Sequence, residues 1–96
     1  MLTMVRMNVQ IPSDFDKQEA ERLKAREKER FQELQRAGKW RHIWRVVGHY
    51  ANVSIFDVES HSELHDILTS LPLYRFMEME VTPLCRHPSS LHEDDR

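Results

Sequence analysis

Residues 39–58 read KWRHIWRVVGHYANVSIFDV. Two aromatic and β-branched runs, Lys39 to Val47 and Tyr50 to Val58, flank Gly48-His49, and a glycine there can open a tight turn. The pattern predicts an antiparallel hairpin. If Gly48 and His49 form a two-residue turn, Val47 opposes Tyr50 and Arg45 opposes Asn52. Arg41, Ile43, Arg45, Tyr50, Asn52, Ser54 and Phe56 then share one sheet face. Trp40, His42, Trp44 and Val46 share the other with Ala51, Val53 and Ile55, and this second set is the expected core surface. The first face is unusually polar for a core, yet neither face is bland enough to be left wholly to solvent, so the side not covered by helices is expected to meet another subunit.

Outward from the hairpin, the N-terminal side offers a strand and a long helix. Met1 to Ile11 alternates loosely and stops at Pro12, where the backbone donor is lost. Ser13 to Asp16 supplies capping residues, and Lys17 to Ala37 contains no Gly, Pro, Val, Ile or Thr, a composition that favours one helix ending at Gly38. On the C-terminal side, Ser60 caps a segment with Leu64, Ile67, Leu68 and Leu71 at helical spacing, closed by Pro72. Leu73 to Val81 is the last predicted strand. The order β-α-β-β-α-β specifies an α+β, ferredoxin-like sandwich over residues 1–82, an antiparallel sheet with two helices on one face. Residues 83–96 carry Pro83, Pro88, two serines and a charged end, and read as an irregular C-terminal tail.

Composition narrows the function. The chain has 96 residues, room for one domain, and balances 14 basic against 16 acidic side chains for a net charge of -2, which offers no basic surface to nucleic acid or an anionic membrane. No apolar run approaches the length of a membrane span, and the start lacks a basic region followed by an apolar block, so a cytoplasmic location is expected. Cys85 is the single cysteine; neither an internal disulfide nor a cysteine-based zinc cluster can be built from it. A domain this small without such staples commonly relies on oligomerisation.

The chemistry-bearing position that stands out is Glu27. At about 100° per residue, Ala20, Leu23, Phe31 and Leu34 fall in a stripe about 80° wide, with Glu27 near its middle. Such a carboxylate either packs its stem and turns its head to solvent or an arginine, or is buried with a raised pKa that suits a proton-transfer base. Lys24, one turn earlier on the edge of the stripe, can hold an anionic group near it or pair on the surface. Arg45 beside Asn52 can grip a carboxylate with two hydrogen bonds or bridge between subunits. His61 and His65 have a zinc-compatible spacing, but Ser62 stands where the zinc-protease motif requires Glu. His65, beside Leu64, is the better candidate to line a pocket. No phosphate-binding loop can be drawn from Gly38 and Gly48, and Ser89 and Ser90 lack the spacing of a hydrolase nucleophile.

Several of these residues together resemble a known family. Trp40-Arg41-His42, Trp44-Arg45, Gly48-His49-Tyr50-Ala51-Asn52, Phe56-Asp57-Val58 and Leu64-His65-Asp66 are similar to muconolactone isomerase. So are Leu71-Pro72-Leu73, Leu84-Cys85-Arg86-His87-Pro88-Ser89-Ser90 and Asp94-Asp95-Arg96. The resemblance covers essentially the whole chain, with the first helix its most divergent part. It implies a subunit of the dimeric α+β barrel type in a homodecamer, with each pocket shielded by the C-terminal tail of a neighbour. It also implies a reaction without metal or organic cofactor, from muconolactone to 3-oxoadipate enol-lactone, in the breakdown of catechol-derived aromatics (the β-ketoadipate pathway). Glu27 falls where the family places its proton shuttle. Lys24 or Arg45 would then bind the carboxymethyl group, and His65, Tyr50 or Asn52 would donate to the lactone oxygen. A chloromuconolactone dehalogenase, with the same first step, and a non-catalytic binding module are the alternatives; the Cys85–Ser90 tail resembles the isomerase more.

Overall fold

The computed structural model describes residues 1–95. Arg96, the end of the tail expected over 83–96, lies outside the described residues. The elements run β1 (Leu2–Val9), α1 (Lys17–Arg36), β2 (Trp40–Arg45), β3 (Ala51–Asp57), α2 (His61–Thr69), a short 3-10 turn (Tyr74–Phe76) and β4 (Met77–Leu84). The strands form one antiparallel sheet in the order β2-β3-β1-β4, the arrangement the βαββαβ order specifies.

Local chemistry sets the helix ends. The Asp16 carboxylate accepts from the Gln18 amide and starts α1. Gly38, at φ 78°, ends it: its amide and that of Lys39 donate to the carbonyls of Gln35 and Leu34, a paired closure that needs a residue free to turn left-handed. Ser60 accepts from Glu63 N–H while the Glu63 carboxylate accepts from Glu59 N–H, so α2 begins with reciprocal capping. No helix among the described residues is long and apolar enough to cross a membrane.

The hairpin register is the expected one, with Arg45 opposite Asn52 and Ile43 opposite Ser54. The faces are the reverse of the expectation. Val5 and Met7 of β1, Phe56 and Val58 of β3 and Trp40 pack against Leu34 of α1 and Leu64, Ile67 and Leu68 of α2. His42 and Trp44, assigned above to the core, lie on the open side, where Trp44 is 55% exposed.

Trp40 is buried as expected, and two features reconcile it and Ser54 with this facing. A register shift between Trp40 and His42 makes Arg41 a bulged residue and turns Trp40 onto the same face as Phe56. The Trp40 indole N–H is then satisfied by the His42 carbonyl at 3.1 Å. Ser54, which argued against a core face, is fully buried and donates to Asn52 Oδ1 at 2.7 Å, so it carries no unmet hydrogen bond.

The turn also differs from the expected two-residue form. Val46 N–H pairs with the Ala51 carbonyl and His49 N–H with the Val46 carbonyl, placing Gly48 (φ 82°) third in a four-residue turn. β4 starts later than expected because Tyr74–Phe76 coils first, and it continues through Pro83, which an edge strand tolerates.

Candidate active site

The helix-side face of the sheet is longer than the helices that cover it. Where α1 and the segment after α2 diverge over the β2–β3 hairpin, a cleft of about 370 Å³ remains. One wall is α1, with Lys24, Glu27, Lys28 and Phe31. The floor is Val9, Ile43, Arg45, Tyr50, Ala51 and Asn52, and Leu73 with Met77 closes the far side. Arg45, Tyr50 and Asn52, polar residues of the hairpin face, are thus part of the cleft lining.

Glu27 is 5% exposed. Its Oε2 accepts a hydrogen bond from the backbone amide of Leu73 at 2.8 Å, while its Oε1 is buried and has no partner among the described residues. Burial disfavours the charged form and pushes the carboxyl up to about 7; the Leu73 amide, which favours the carboxylate, offsets part of that rise. Of the two dispositions open at the sequence level, the head turned to solvent or an arginine is excluded.

The cations around this carboxylate are unequal. Lys24 pairs with Glu21 at 3.3 Å. Arg45 lies over the Tyr50 ring, 5.6 Å from its centroid, and neither Arg45 nor Lys28 has a carboxylate partner among the described residues. Three cations thus line the same partly apolar pocket as one carboxyl, an arrangement suited to an anionic ligand. Asn52 is oriented by Ser54, and its amide nitrogen contacts only the weak acceptor Met7 Sδ at 3.7 Å, which leaves donor capacity toward the cleft.

Lys24, Glu27, Arg45, Tyr50 and Asn52 are brought together; His65 is not. It is exposed on α2 and absent from the lining. Adjacency to Leu64 was the wrong criterion, because neighbours along a helix point about 100° apart and only positions three or four away share a face. Lys28, Phe31, Leu73 and Met77 were not singled out from sequence. Lys28 could have been found as the second lysine of an i, i+4 pair with Lys24. Among the described residues no group of three or more His, Cys, Asp or Glu is placed to hold a metal ion.

No described residue of the tail lines this cleft. Arg41 pairs with Asp94 at 3.2 Å and Asp95 at 3.1 Å, and Arg86 donates to the carbonyls of Ser90 and His92. These contacts lay the tail along the open side of its own sheet, over a second hollow bounded by Leu2, His42, Trp44 and Ile55.

Residues 1–90 match the family model described as muconolactone delta-isomerase. The chain is similar to Muconolactone Delta-isomerase of Pseudomonas aeruginosa, 60% identical over 96 residues and 100% of both chains. It is also similar to Muconolactone Delta-isomerase 1 of Acinetobacter lwoffii, 62% identical over 95 residues and 99% of each. Its fold superposes on a crystal structure of muconolactone isomerase with a TM-score of 0.95, at 58% identity and 100% coverage of both chains.

Proposed function

The chain belongs to the muconolactone delta-isomerase family and is an isomerase, and from that premise we propose that Glu27 carries a proton between two carbons of muconolactone to give 3-oxoadipate enol-lactone. The observation that supports this reading is a buried carboxyl with a pKa of about 7 and one unpartnered oxygen, set in a cleft lined by cations.

The ionised carboxylate takes the proton from the ring carbon that bears the carboxymethyl arm. The electron pair spreads through the ring double bond to the lactone carbonyl, forming a dienolate. The same carboxyl then returns the proton to the carbon beside that carbonyl. No net oxidation occurs and no atom is gained or lost, so the step balances with one base and no co-reactant. A pKa near 7 suits both halves, since the group must be charged to accept the proton and acidic enough to give it back.

Arg45 and Lys28, lacking partners in the chain, are suited to hold the carboxymethyl carboxylate, with Lys24 contributing once it leaves Glu21. Tyr50 and Asn52 are suited to donate to the lactone oxygen as charge develops there. Fixing the arm brings both reacting carbons within reach of one carboxyl, and that pre-paid orientation is a large part of the acceleration. The same reading places the protein in the cytoplasm, in the breakdown of catechol-derived aromatics, as a homo-oligomer and specifically a decamer. Each tail then covers a neighbour's cleft.

Glu27→Gln tests the base. The amide keeps the shape and an oxygen for the Leu73 amide, so lactone binding should persist while kcat falls by about 10² or more. Turnover within a few-fold of the parent removes Glu27 from the mechanism.

A further inference from the structure

The carboxyl of Glu27 is aimed by one contact, and that contact is braced from outside the cleft. Leu73, whose amide donates to Oε2, precedes the 3-10 turn, and its carbonyl accepts from Phe76 N–H at 2.9 Å. The Phe76 carbonyl in turn accepts from Gln10 N–H at 2.8 Å, tying the turn to the end of β1. Over this turn the Arg75 guanidinium lies 4.8 Å from the Phe76 ring centroid and 5.2 Å from that of Phe15. The two rings meet edge to face at 5.0 Å. Phe15 immediately precedes Asp16, the cap of α1, and α1 carries Glu27.

The three side chains therefore join the segment that presents the amide to the segment that leads into the helix bearing the carboxylate. Arg75 has no ion-pair partner among the described residues. Its charge is committed to two aromatic faces.

We propose that Arg75, clamped between Phe15 and Phe76, is a positioning residue for the isomerisation, holding the Leu73 amide on Glu27 Oε2 so that Oε1 faces the substrate. The proposal rests on the reading of Glu27 as the base. The charged and titratable groups facing Glu27 are Lys24 and Lys28 on its own helix and Arg45 and Tyr50 from the hairpin; the wall of Leu73 and Met77 adds none. Arg75 acts through the amide alone. Loosening the clamp weakens a hydrogen bond that favours the carboxylate, so the proton is held more tightly, and the swinging carboxyl reaches its two carbons less often.

The test is the pH profile of kcat/KM for Phe15→Leu, Arg75→Ala and Arg75→Lys. Phe15→Leu changes no charge, so any movement of its acid limb reports the clamp and not a lost cation. The limb should move up by about half a pH unit or more in Phe15→Leu and in Arg75→Ala. In both, kcat on the plateau should fall several-fold with KM little changed, and Arg75→Lys should recover most of the loss. Carbon-13 titration of the Glu27 carboxyl gives the same reading where turnover is too slow to follow. A limb and a carboxyl titration left in place in Phe15→Leu overturn the clamp. Glu27→Gln, run alongside, separates the two ideas. If it keeps turnover, the base assignment falls and the clamp with it; if it loses turnover while the Phe15→Leu titration stays put, the clamp alone falls.

Discussion

At the scale of one residue, a carboxyl at about 7 in the folded chain, against 4.5 when unperturbed, links catalysis to stability with opposite signs. Below pH 4.5 both native and unfolded chains hold the proton, and Glu27 costs nothing. Between 4.5 and 7 the native state binds more protons than the unfolded one, so stability falls as pH rises. Above 7 the full penalty applies, about 3 kcal/mol for a shift of this size.

Activity runs the other way, because only the carboxylate can accept the proton. The acid limb of kcat/KM should therefore rise through a pKa of about 7 and level off above it. Glu27→Gln should be more stable than the parent at pH 8, by about 1–2 kcal/mol once the cost of a buried amide is subtracted, with the advantage shrinking as pH falls and reversing toward pH 4.5, where only that cost remains. Urea unfolding at pH 5 and pH 8 measures this, and equal differences at the two pH values contradict it.

The position was legible because a glutamate in the middle of an apolar stripe breaks a pattern that α1 otherwise keeps. Lys28 escaped that criterion, since it lies well outside the stripe and reaches the cleft only through the length of its side chain, and only its i, i+4 spacing from Lys24 marks it. The Leu73 amide was beyond sequence reading altogether, because a backbone donor has no residue-type signature.

At the scale of the element, β2 shows what periodicity can and cannot supply. Its pairing with β3 followed from the turn, and Arg45 opposite Asn52 was correct. Its facing was not: His42 and Trp44, assigned to the core, lie on the open side, and Trp40 reaches the core as expected only because the Arg41 bulge puts it out of step with them. Polar Arg45, Asn52 and Ser54 reinforced the error. Arg45 and Asn52 sit on the core face because its far end is the candidate cleft, and Ser54 because its hydroxyl is spent on Asn52; sequence patterning fails where polar groups are needed in a buried surface.

The bulge also sets Arg41 toward the tail, where its 22% exposed side chain meets Asp94, 77% exposed. An ion pair so open to solvent is worth about 1 kcal/mol or less. Arg41→Ala should accordingly leave the melting temperature within a few degrees of the parent while the tail becomes more sensitive to protease. A tail no easier to cut than before shows that the Arg41 contacts do not hold it.

At the scale of the whole molecule, the sheet has one covered side and one bare one. Trp44 and Leu84 are exposed there beside the half-buried Met4, Val53 and Ile55, an apolar surface that a second copy of the chain would remove from water. The tail's described residues lie on that side, and none of them lines the cleft of its own chain. That disposition is the one the proposed shielding of a neighbour's cleft calls for.

This makes a complementation experiment decisive. A chain cut after Cys85 keeps β4 and the Leu2–Leu84 pair intact and should fold and assemble, yet turn over slowly because no neighbour shields its cleft. Full-length Glu27→Gln has the tail and no base. Refolded together, the two should form mixed assemblies in which intact tails cover clefts holding Glu27, and activity per Glu27 should rise several-fold above that of the truncated chain alone. The gain should scale with the fraction of full-length chain in the mixture. Mixed assemblies confirmed by mass, with activity no higher than the truncated chain's share, place the tail's contribution within its own subunit and remove the shared cleft from the proposal.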